Sequence, residues 1–200
     1  ISTIFKKNKR KVTVLDVGAA PGGKSFQLID LGFKVKSIEI SKKRVLTFSS
    51  NLNRLNISSE IINEDFLNFK INKKFDCVLI DAPCSGSGLM QKKPEILVLK
   101  KDISNLVSKQ KKMLQRASNL VKDGGYIIYC VCSLLKEEGE KQITTFLNDQ
   151  KCFSAENLFG DILEFGMVLK SNTFLATPNY FKKKGGIDGF FIACLVKNKV

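Results

Sequence analysis

Residues 12–24 read VTVLDVGAAPGGK, an apolar, β-branched run that ends in a glycine-rich turn. Residues 11–17 predict a strand, and the apolar spacing within residues 22–31 predicts a helix. Glycines in such a turn let the backbone approach a ligand closely, and amides at a helix start attract negative groups such as a carboxylate. The glycine spacing differs from the dinucleotide fingerprint and from the P-loop. The stretch therefore predicts a strand–turn–helix unit, which is either a ligand site or only a tight turn.

The alternation of strand and helix continues along the chain. Further strands are predicted at 34–40, 60–62, 75–80, 125–131, 165–170 and 189–196, and helices at 42–55 after the cap Ser41, at 103–121, and from Lys136 to about 148. This order favours an α/β fold, a parallel, doubly wound sheet with helices on both faces. A chain of 200 residues with 44% hydrophobic content has enough apolar residues for one buried core. We expect a single domain over residues 1–200.

Acidic residues stand where the predicted strands end. Glu39 ends the second strand, Asp65 follows the third and Asp81 ends the fourth, while Asp16 precedes the glycine turn. Open α/β sheets bind ligands at this edge, where an acidic residue about 20 positions after the turn accepts hydrogen bonds from ribose hydroxyls. Taken singly, each is more often an N-cap or a turn residue. Together they predict a ligand site.

Two cysteines follow adjacent predicted strands. Residues 81–88 read DAPCSGSG and residues 129–133 read YCVCS, so Cys84 and Cys132 are expected in one cleft. Cys130 is expected to be a small buried hydrophobe. We expect no metal, because a zinc site from these three cysteines would lack a paired Cys-x-x-Cys knuckle. Histidine is absent, so acid–base chemistry must use carboxylates, thiols, lysine or water.

Charge and composition restrict the partners. Lys and Arg number 33 against 19 Asp and Glu, for a net charge of +14. An excess of this kind attracts nucleic acid, although a lysine-rich genome also produces it. The apolar runs are too short to cross a membrane, and no secretory signal is recognisable. Six cysteines, mostly within apolar segments, fit a reducing compartment.

Four sequence blocks resemble one enzyme family, the Sun-type RNA cytosine-5 methyltransferases. They are AAPGGK at 19–24, DAPCSG at 81–86, CS at 132–133 and DGFFIA at 188–193, and they occur in the family's order. The resemblance extends from about Val12 to Val196. Within the family, the chain is similar to the bacterial enzymes that act on small-subunit ribosomal RNA. It implies a Rossmann-like class I S-adenosyl-L-methionine-dependent methyltransferase fold, with a mostly parallel, seven-stranded sheet whose last strand is antiparallel.

The resemblance also implies roles for residues of this chain. Cys132 matches the nucleophile that adds to C6 of cytosine and makes C5 reactive, and Cys84 matches the cysteine that assists breakdown of the covalent intermediate. Asp81 matches the carboxylate that hydrogen-bonds the cytosine edge, and the charge of Lys24 would lower a thiol pKa or bind the cofactor carboxylate. The residues expected to bind the cofactor S-adenosyl-L-methionine are Gly18, Ala19, Ala20, Pro21, Gly22, Gly23, Lys24, Glu39, Arg44, Asp65 and Asp81.

Partners follow from the same resemblance. Ribosomal RNA is the first expected substrate and transfer RNA the second, for a cytoplasmic monomer. The chain begins without Met, and we expect the N-terminal RNA-binding region of a longer protein to be missing from it. Departures from the family are Gln91-Lys92 in place of an arginine pair, and Cys130-Val131 in place of serine and threonine before the nucleophile. Two alternatives stay open. Cys84 would be the nucleophile if the chain worked as DNA cytosine-5 methyltransferases do, and a non-catalytic RNA-binding or assembly factor would retain the fold without turnover.

Overall fold

The computed structural model describes residues 1–5, 11–99 and 101–199. Its helices are α1 (Gly23–Asp30), α2 (Lys42–Leu55), α3 (Ile103–Leu120) and α4 (Glu140–Asp149). Its strands are β1 (Thr13–Val17), β2 (Lys34–Ile38), β3 (Ile61–Ile62), β4 (Phe75–Asp81), β5 (Val121–Val131), β6 (Phe153–Ala155), β7 (Met167–Val168), β8 (Phe174–Ala176) and β9 (Phe190–Lys197). No helix in this part of the chain is long and apolar enough to cross a membrane.

All the strands of the described residues join one sheet. Its order is β3-β2-β1-β4-β5-β9-β8-β7, with β6 paired to β9. The first five strands in this order are parallel, and β9 runs antiparallel to β5. The predicted α/β class and its antiparallel last strand are confirmed. The sheet has nine strands rather than seven, because the three-residue strands β6 and β8 are too short to show an alternating pattern.

Helices cover both faces, as predicted. Leu15 and Val17 of β1 pack in a core cluster with Leu114 of α3, whereas Val14 packs in a second cluster with Leu28 of α1. Successive side chains of a strand point to opposite faces, so this division follows from the strand period. The two clusters hold the sheet between its helices, with the carboxyl ends of β1, β2, β4 and β5 along one edge.

Local signals set some boundaries and not others. Helix α2 has the predicted bounds, and the Ser41 hydroxyl accepts a hydrogen bond from the Arg44 amide at 3.4 Å. Strand β5 begins four residues before its predicted start at residue 125, because Val121 pairs with Phe75 across a register shift. That early pairing depends on β4 and has no counterpart in the local pattern.

Candidate active site

A cavity of about 480 Å³ lies along the carboxyl edge of the parallel strands. This volume is typical of small-ligand sites. The predicted site residues that line it are Gly18, Glu39, Arg44, Asp65, Asp81, Cys84 and Cys132. One cavity therefore brings residues predicted to bind the cofactor together with both cysteines predicted to react.

The glycine turn brings β1 close to β4. Gly18 has a φ of +77°, and a Cβ placed there would lie 2.5 Å from the Asp81 carbonyl oxygen. Its amide donates to the Ile38 carbonyl at 2.9 Å. Only glycine combines this backbone conformation with such a close approach. Position 18 is therefore set by the contact between neighbouring strand ends.

The rest of the turn lies away from the cavity surface. Among the described residues that line the cavity, none comes from residues 19–24. Ala19 and Ala20 are buried against Phe26 and Phe48. The predicted cofactor contacts of Ala19, Ala20, Pro21, Gly22, Gly23 and Lys24 stay predictions.

Glu39 is 2% exposed at the end of β2. Its Oε1 accepts a hydrogen bond from the Ser41 amide at 2.9 Å, and its Oε2 lies 3.1 Å from Arg44 Nη1. Arg44 also donates to the Ala20 carbonyl, so its guanidinium ties Glu39 to the glycine turn. Glu39 Oε2 accepts no hydrogen bond from the described residues. A buried oxygen of this kind is suited to accept one from a ligand hydroxyl.

Asp16 differs from the other three acids. It is fully buried, accepts a hydrogen bond from Ser25 Oγ at 2.5 Å and does not line the cavity. Burial raises its pKa to about 6, against the hydrogen bond from Ser25, which lowers it. The structure places Asp16 beneath the start of α1. Asp65 lines the cavity, and its Oδ1 also accepts a hydrogen bond from the Leu67 amide at 3.0 Å, as aspartates in turns commonly do.

The sulfur atoms of Cys84 and Cys132 lie 3.3 Å apart. Their hydrogen bond lowers the pKa of Cys132 to about 7, although burial and the charge of Asp81 act in the opposite direction. The same bond, followed by burial, raises the pKa of Cys84. The nearby charge of Lys101 lowers the pKa of Cys132, and that of Glu138 raises the pKa of Cys84. The contact therefore favours the thiol form of Cys84 and the thiolate form of Cys132.

Lys24 Nζ lies 2.7 Å from Asp81 Oδ2, which joins the glycine turn to the end of β4. Burial alone would lower the pKa of Lys24, but the charge of Asp81 and the hydrogen bond to it hold that pKa above its ordinary value. Cys130 packs against the second core cluster, and burial raises its pKa to about 12. An uncharged thiol in this environment fits the structural role expected for Cys130.

The loop after β4 is held by the last sequence block. The Gly88 amide donates to the Cys132 carbonyl at 3.1 Å, and a Cβ at Gly88 would lie 1.8 Å from the Gly189 carbonyl oxygen. Lys92, one of the departures from the family, forms an ion pair with Asp188 at 2.8 Å. The blocks at 81–86, 132–133 and 188–193 thus meet at one place.

Residues that the sequence did not indicate also belong to this site. Lys101 Nζ donates to the Ser85 carbonyl at 2.6 Å and lines the cavity. Glu138 is fully buried, and its carboxylate accepts hydrogen bonds from Ser85 and Ser133. In the sequence, Glu138 is indistinguishable from its neighbours in the run EEGE, so only burial identifies it.

Comparisons with known proteins agree on one family. A family model described as 16S rRNA methyltransferase RsmB/F matches residues 3–196. The ribosomal RNA small subunit methyltransferase B of Shewanella oneidensis is 37% identical over 141 residues, which cover 67% of this chain and 33% of that relative. The chain thus spans about a third of the length of this relative.

Solved structures share the fold. A protein named PH0851 superposes with a TM-score of 0.86 at 32% identity, over 98% of this chain and 45% of that one. NSun6 from Pyrococcus horikoshii, solved with SFG, has a TM-score of 0.83 at 24% identity, over 100% of this chain and 52% of that one.

Proposed function

The chain belongs to the 16S rRNA methyltransferase RsmB/F family, and we propose that its 200 residues are a catalytic domain that methylates C5 of cytosine in RNA. The contact that carries the proposal is the 3.3 Å approach of the Cys84 and Cys132 sulfurs in the cavity that Glu39 also lines. Ribosomal RNA is the proposed substrate, ahead of transfer RNA. We propose that the domain acts as a monomer in the cytoplasm.

The proposed cofactor is S-adenosyl-L-methionine, which, when bound, supplies a methyl group on a positively charged sulfur. The cavity suits such a molecule because the buried Glu39 Oε2, which has only the ion pair with Arg44 at 3.1 Å, can also accept a hydrogen bond from a ribose hydroxyl. Gly18 lines the cavity at the end of β1, and Asp65 adds an acceptor at the same edge. These three residues are the proposed contacts on the cofactor side.

The proposed chemistry begins at Cys132. Its thiolate forms a bond to C6 of cytosine, which moves the electrons of the C5–C6 double bond toward C5 and makes C5 nucleophilic. Asp81, which pairs with Lys24 at 2.7 Å, is the proposed hydrogen-bond partner of the cytosine edge. After methylation a base takes the C5 proton, the electrons of the C5–H bond re-form the C5–C6 double bond, and the Cys132 sulfur departs as a thiolate with the electrons of its bond to C6. Cys84 lies within hydrogen-bond distance of that sulfur and can assist its departure.

Charge supports RNA as the substrate class. The chain carries a net charge of +14, and Lys93, Lys101 and Lys109 line the cavity. Lysine side chains at a cleft attract phosphates without selecting a sequence. The choice of ribosomal RNA rests on the family.

The experiment uses 5-fluorocytosine-containing ribosomal RNA, because fluorine cannot leave C5 as a proton does and the covalent adduct persists. Wild type, Cys132→Ser, Cys84→Ser and the control Cys130→Ser are incubated with this RNA and cofactor, then denatured. We expect an RNA–protein adduct in every protein except Cys132→Ser.

Two other results would change the proposal. Loss of the adduct only in Cys84→Ser would make Cys84 the nucleophile. If wild type forms no adduct while it binds both cofactor and RNA, the chain is a non-catalytic RNA-binding factor.

A further inference from the structure

One buried carboxylate contacts the residue that follows each reactive cysteine. Glu138 Oε1 accepts a hydrogen bond from the Ser85 amide at 2.8 Å, next to Cys84 in the chain. Glu138 Oε2 accepts from Ser133 Oγ at 2.5 Å, next to Cys132. Ser85 Oγ also donates to Oε2 at 2.5 Å. The two loops therefore meet on a single side chain, which comes from the loop between β5 and α4.

We propose that Glu138 is a positioning residue that sets the separation of the Cys84 and Cys132 sulfurs. The inference rests on the proposed function, because it assigns a role in the same site. Glu138 contacts the serines and leaves both sulfurs free for the cavity. Its carboxylate bridges two loops whose cysteines are 48 residues apart in the chain.

The surroundings of Glu138 can hold this position rigidly. The side chain is 0% exposed, and Gln110 Nε2 of α3 donates to its Oε1 at 3.1 Å. Gln110 in turn accepts from Gln142 of α4 at 3.2 Å and donates to the Pro83 carbonyl at 2.9 Å. Four donors thus satisfy a buried carboxylate, which makes its burial tolerable and its position well defined.

The charge of Glu138 has a second effect on the pair. The hydrogen bond to Cys132 and burial raise the pKa of Cys84 most, and the negative charge of Glu138 adds to them in the same direction. The Cys84 thiol then donates to Cys132, which lowers the pKa of Cys132. Position and charge therefore act in the same direction, toward a Cys132 thiolate.

The first measurement needs neither cofactor nor RNA. Iodoacetamide alkylation of Cys132 is followed by peptide mass spectrometry from pH 5.5 to 9.5 in wild type and Glu138→Ala. The wild-type midpoint should lie near pH 7. In Glu138→Ala the two sulfurs separate, and the midpoint should rise toward about 8.5, the ordinary value of cysteine. Adduct formation on 5-fluorocytosine RNA should slow about 100-fold, the scale of a 1 Å misplacement.

Two further variants separate positioning from other effects. Glu138→Gln keeps an acceptor for the amide donors of Ser85 and Gln110, and the serine hydroxyls can turn to accept from its amide. Its midpoint should stay closer to pH 7 than that of the alanine variant. Glu137→Ala is the matched control, because Glu137 is exposed and pairs with Lys141 at 2.7 Å. It should behave as wild type.

If Glu138→Ala fails to fold, Ser133→Ala replaces it, since this change removes the link of Glu138 beside Cys132 and keeps its hydrogen bonds from Ser85. The midpoint should then rise in the same direction by a smaller amount. A folded Glu138→Ala protein, or failing that Ser133→Ala, with the wild-type midpoint would overturn the inference. If the midpoint shifts but wild type forms no RNA adduct, positioning holds and the proposed function fails. If wild type forms the RNA adduct but the midpoint of the variant is unshifted, the proposed function holds and the positioning role of Glu138 fails.

Discussion

Two buried carboxylates at the same edge of the sheet contrast in how they are satisfied. Asp16, under the glycine turn, has one oxygen without a hydrogen bond, and burial raises its pKa to about 6. Glu138, between the cysteine loops, accepts hydrogen bonds at both oxygens. The first carboxylate has its partner Ser25 nine residues away, and the second joins a residue 53 positions away. The hydrogen bond of Asp16 thus joins residues close in the chain, whereas the contacts of Glu138 also join distant segments.

The largest expected effect tests whether the end of the cavity with the two cysteines is the reactive one. Cys132→Ser should slow methyl transfer from labelled S-adenosyl-L-methionine about 10⁴-fold, the scale of removing a catalytic nucleophile, because an unactivated hydroxyl is a weak nucleophile. Cys130→Ser changes the same atom two residues earlier on β5 and should leave the rate within a few-fold of wild type. Equal losses of rate in both variants would show that the substitutions disturb the end of β5 as a whole, and that Cys132 has no special role.

The next effect tests the strain at Asp16. Its folded pKa of about 6 exceeds the ordinary value of 3.8, so the folded state binds more protons between these pH values. Stability should therefore fall as pH rises from about 4 to 6, by about 3 kcal/mol in total. Asp16→Asn cannot ionise, so its stability relative to wild type should be greater at pH 7 than at pH 4 by that amount. Urea unfolding at both pH values measures the difference.

Asp76 provides a control of opposite sign. Burial would raise its pKa, but hydrogen bonds from Lys122 and Thr13 hold it below the ordinary value. Its contribution to stability is therefore present above the unfolded pKa and lost as pH falls through the folded one. Asp76→Asn should cost more stability at pH 7 than at pH 3. If both variants changed in stability relative to wild type in the same direction as pH rises, the raised pKa of Asp16 would be contradicted.

A smaller effect tests whether the glycine turn depends on its contact with β4. Gly18→Ala forces a side chain to within 2.5 Å of the Asp81 carbonyl at a φ of +77°. We expect a loss of about 2 kcal/mol in unfolding free energy and weaker cofactor binding by calorimetry. At Gly23 nothing lies within 4 Å of an added Cβ, so Gly23→Ala should be neutral or up to about 1 kcal/mol more stable. Similar losses at both positions would mean that flexibility of the turn matters more than its contact with β4.

The smallest effect concerns the cysteine pair itself. Cys84→Ala removes the hydrogen bond that lowers the pKa of Cys132, so the alkylation midpoint of Cys132 should rise from about 7 toward about 8.5. At pH 7 the thiolate fraction would then be about 16-fold smaller. Cys152→Ala, which removes a thiol outside the cavity, is the control. An unchanged midpoint in Cys84→Ala would assign the low pKa of Cys132 to Lys101 instead.

Much of the fold could be predicted because its signals are local. The bounds of α2 follow from apolar spacing and the cap Ser41. The glycine turn is contained within a few residues of β1. In contrast, β6 and β8 each have three residues, and the early start of β5 depends on pairing with β4. Short strands form where a neighbour offers hydrogen bonds, and no local pattern reports the neighbour.

The candidate site divides in the same way. The sequence by itself determined the alternating strands and helices, the glycine turn and the two cysteine blocks at adjacent strand ends, since each depends on residue type and short spacing. Only the tertiary structure decided that the contact of Cys84 with Cys132 lowers the pKa of Cys132, that Asp16 lies beneath the turn, and that Glu138 rather than Glu137 joins the loops. The physical reason is that burial and contacts between distant segments set these pKa values and hydrogen bonds, and both arise only when the chain is folded.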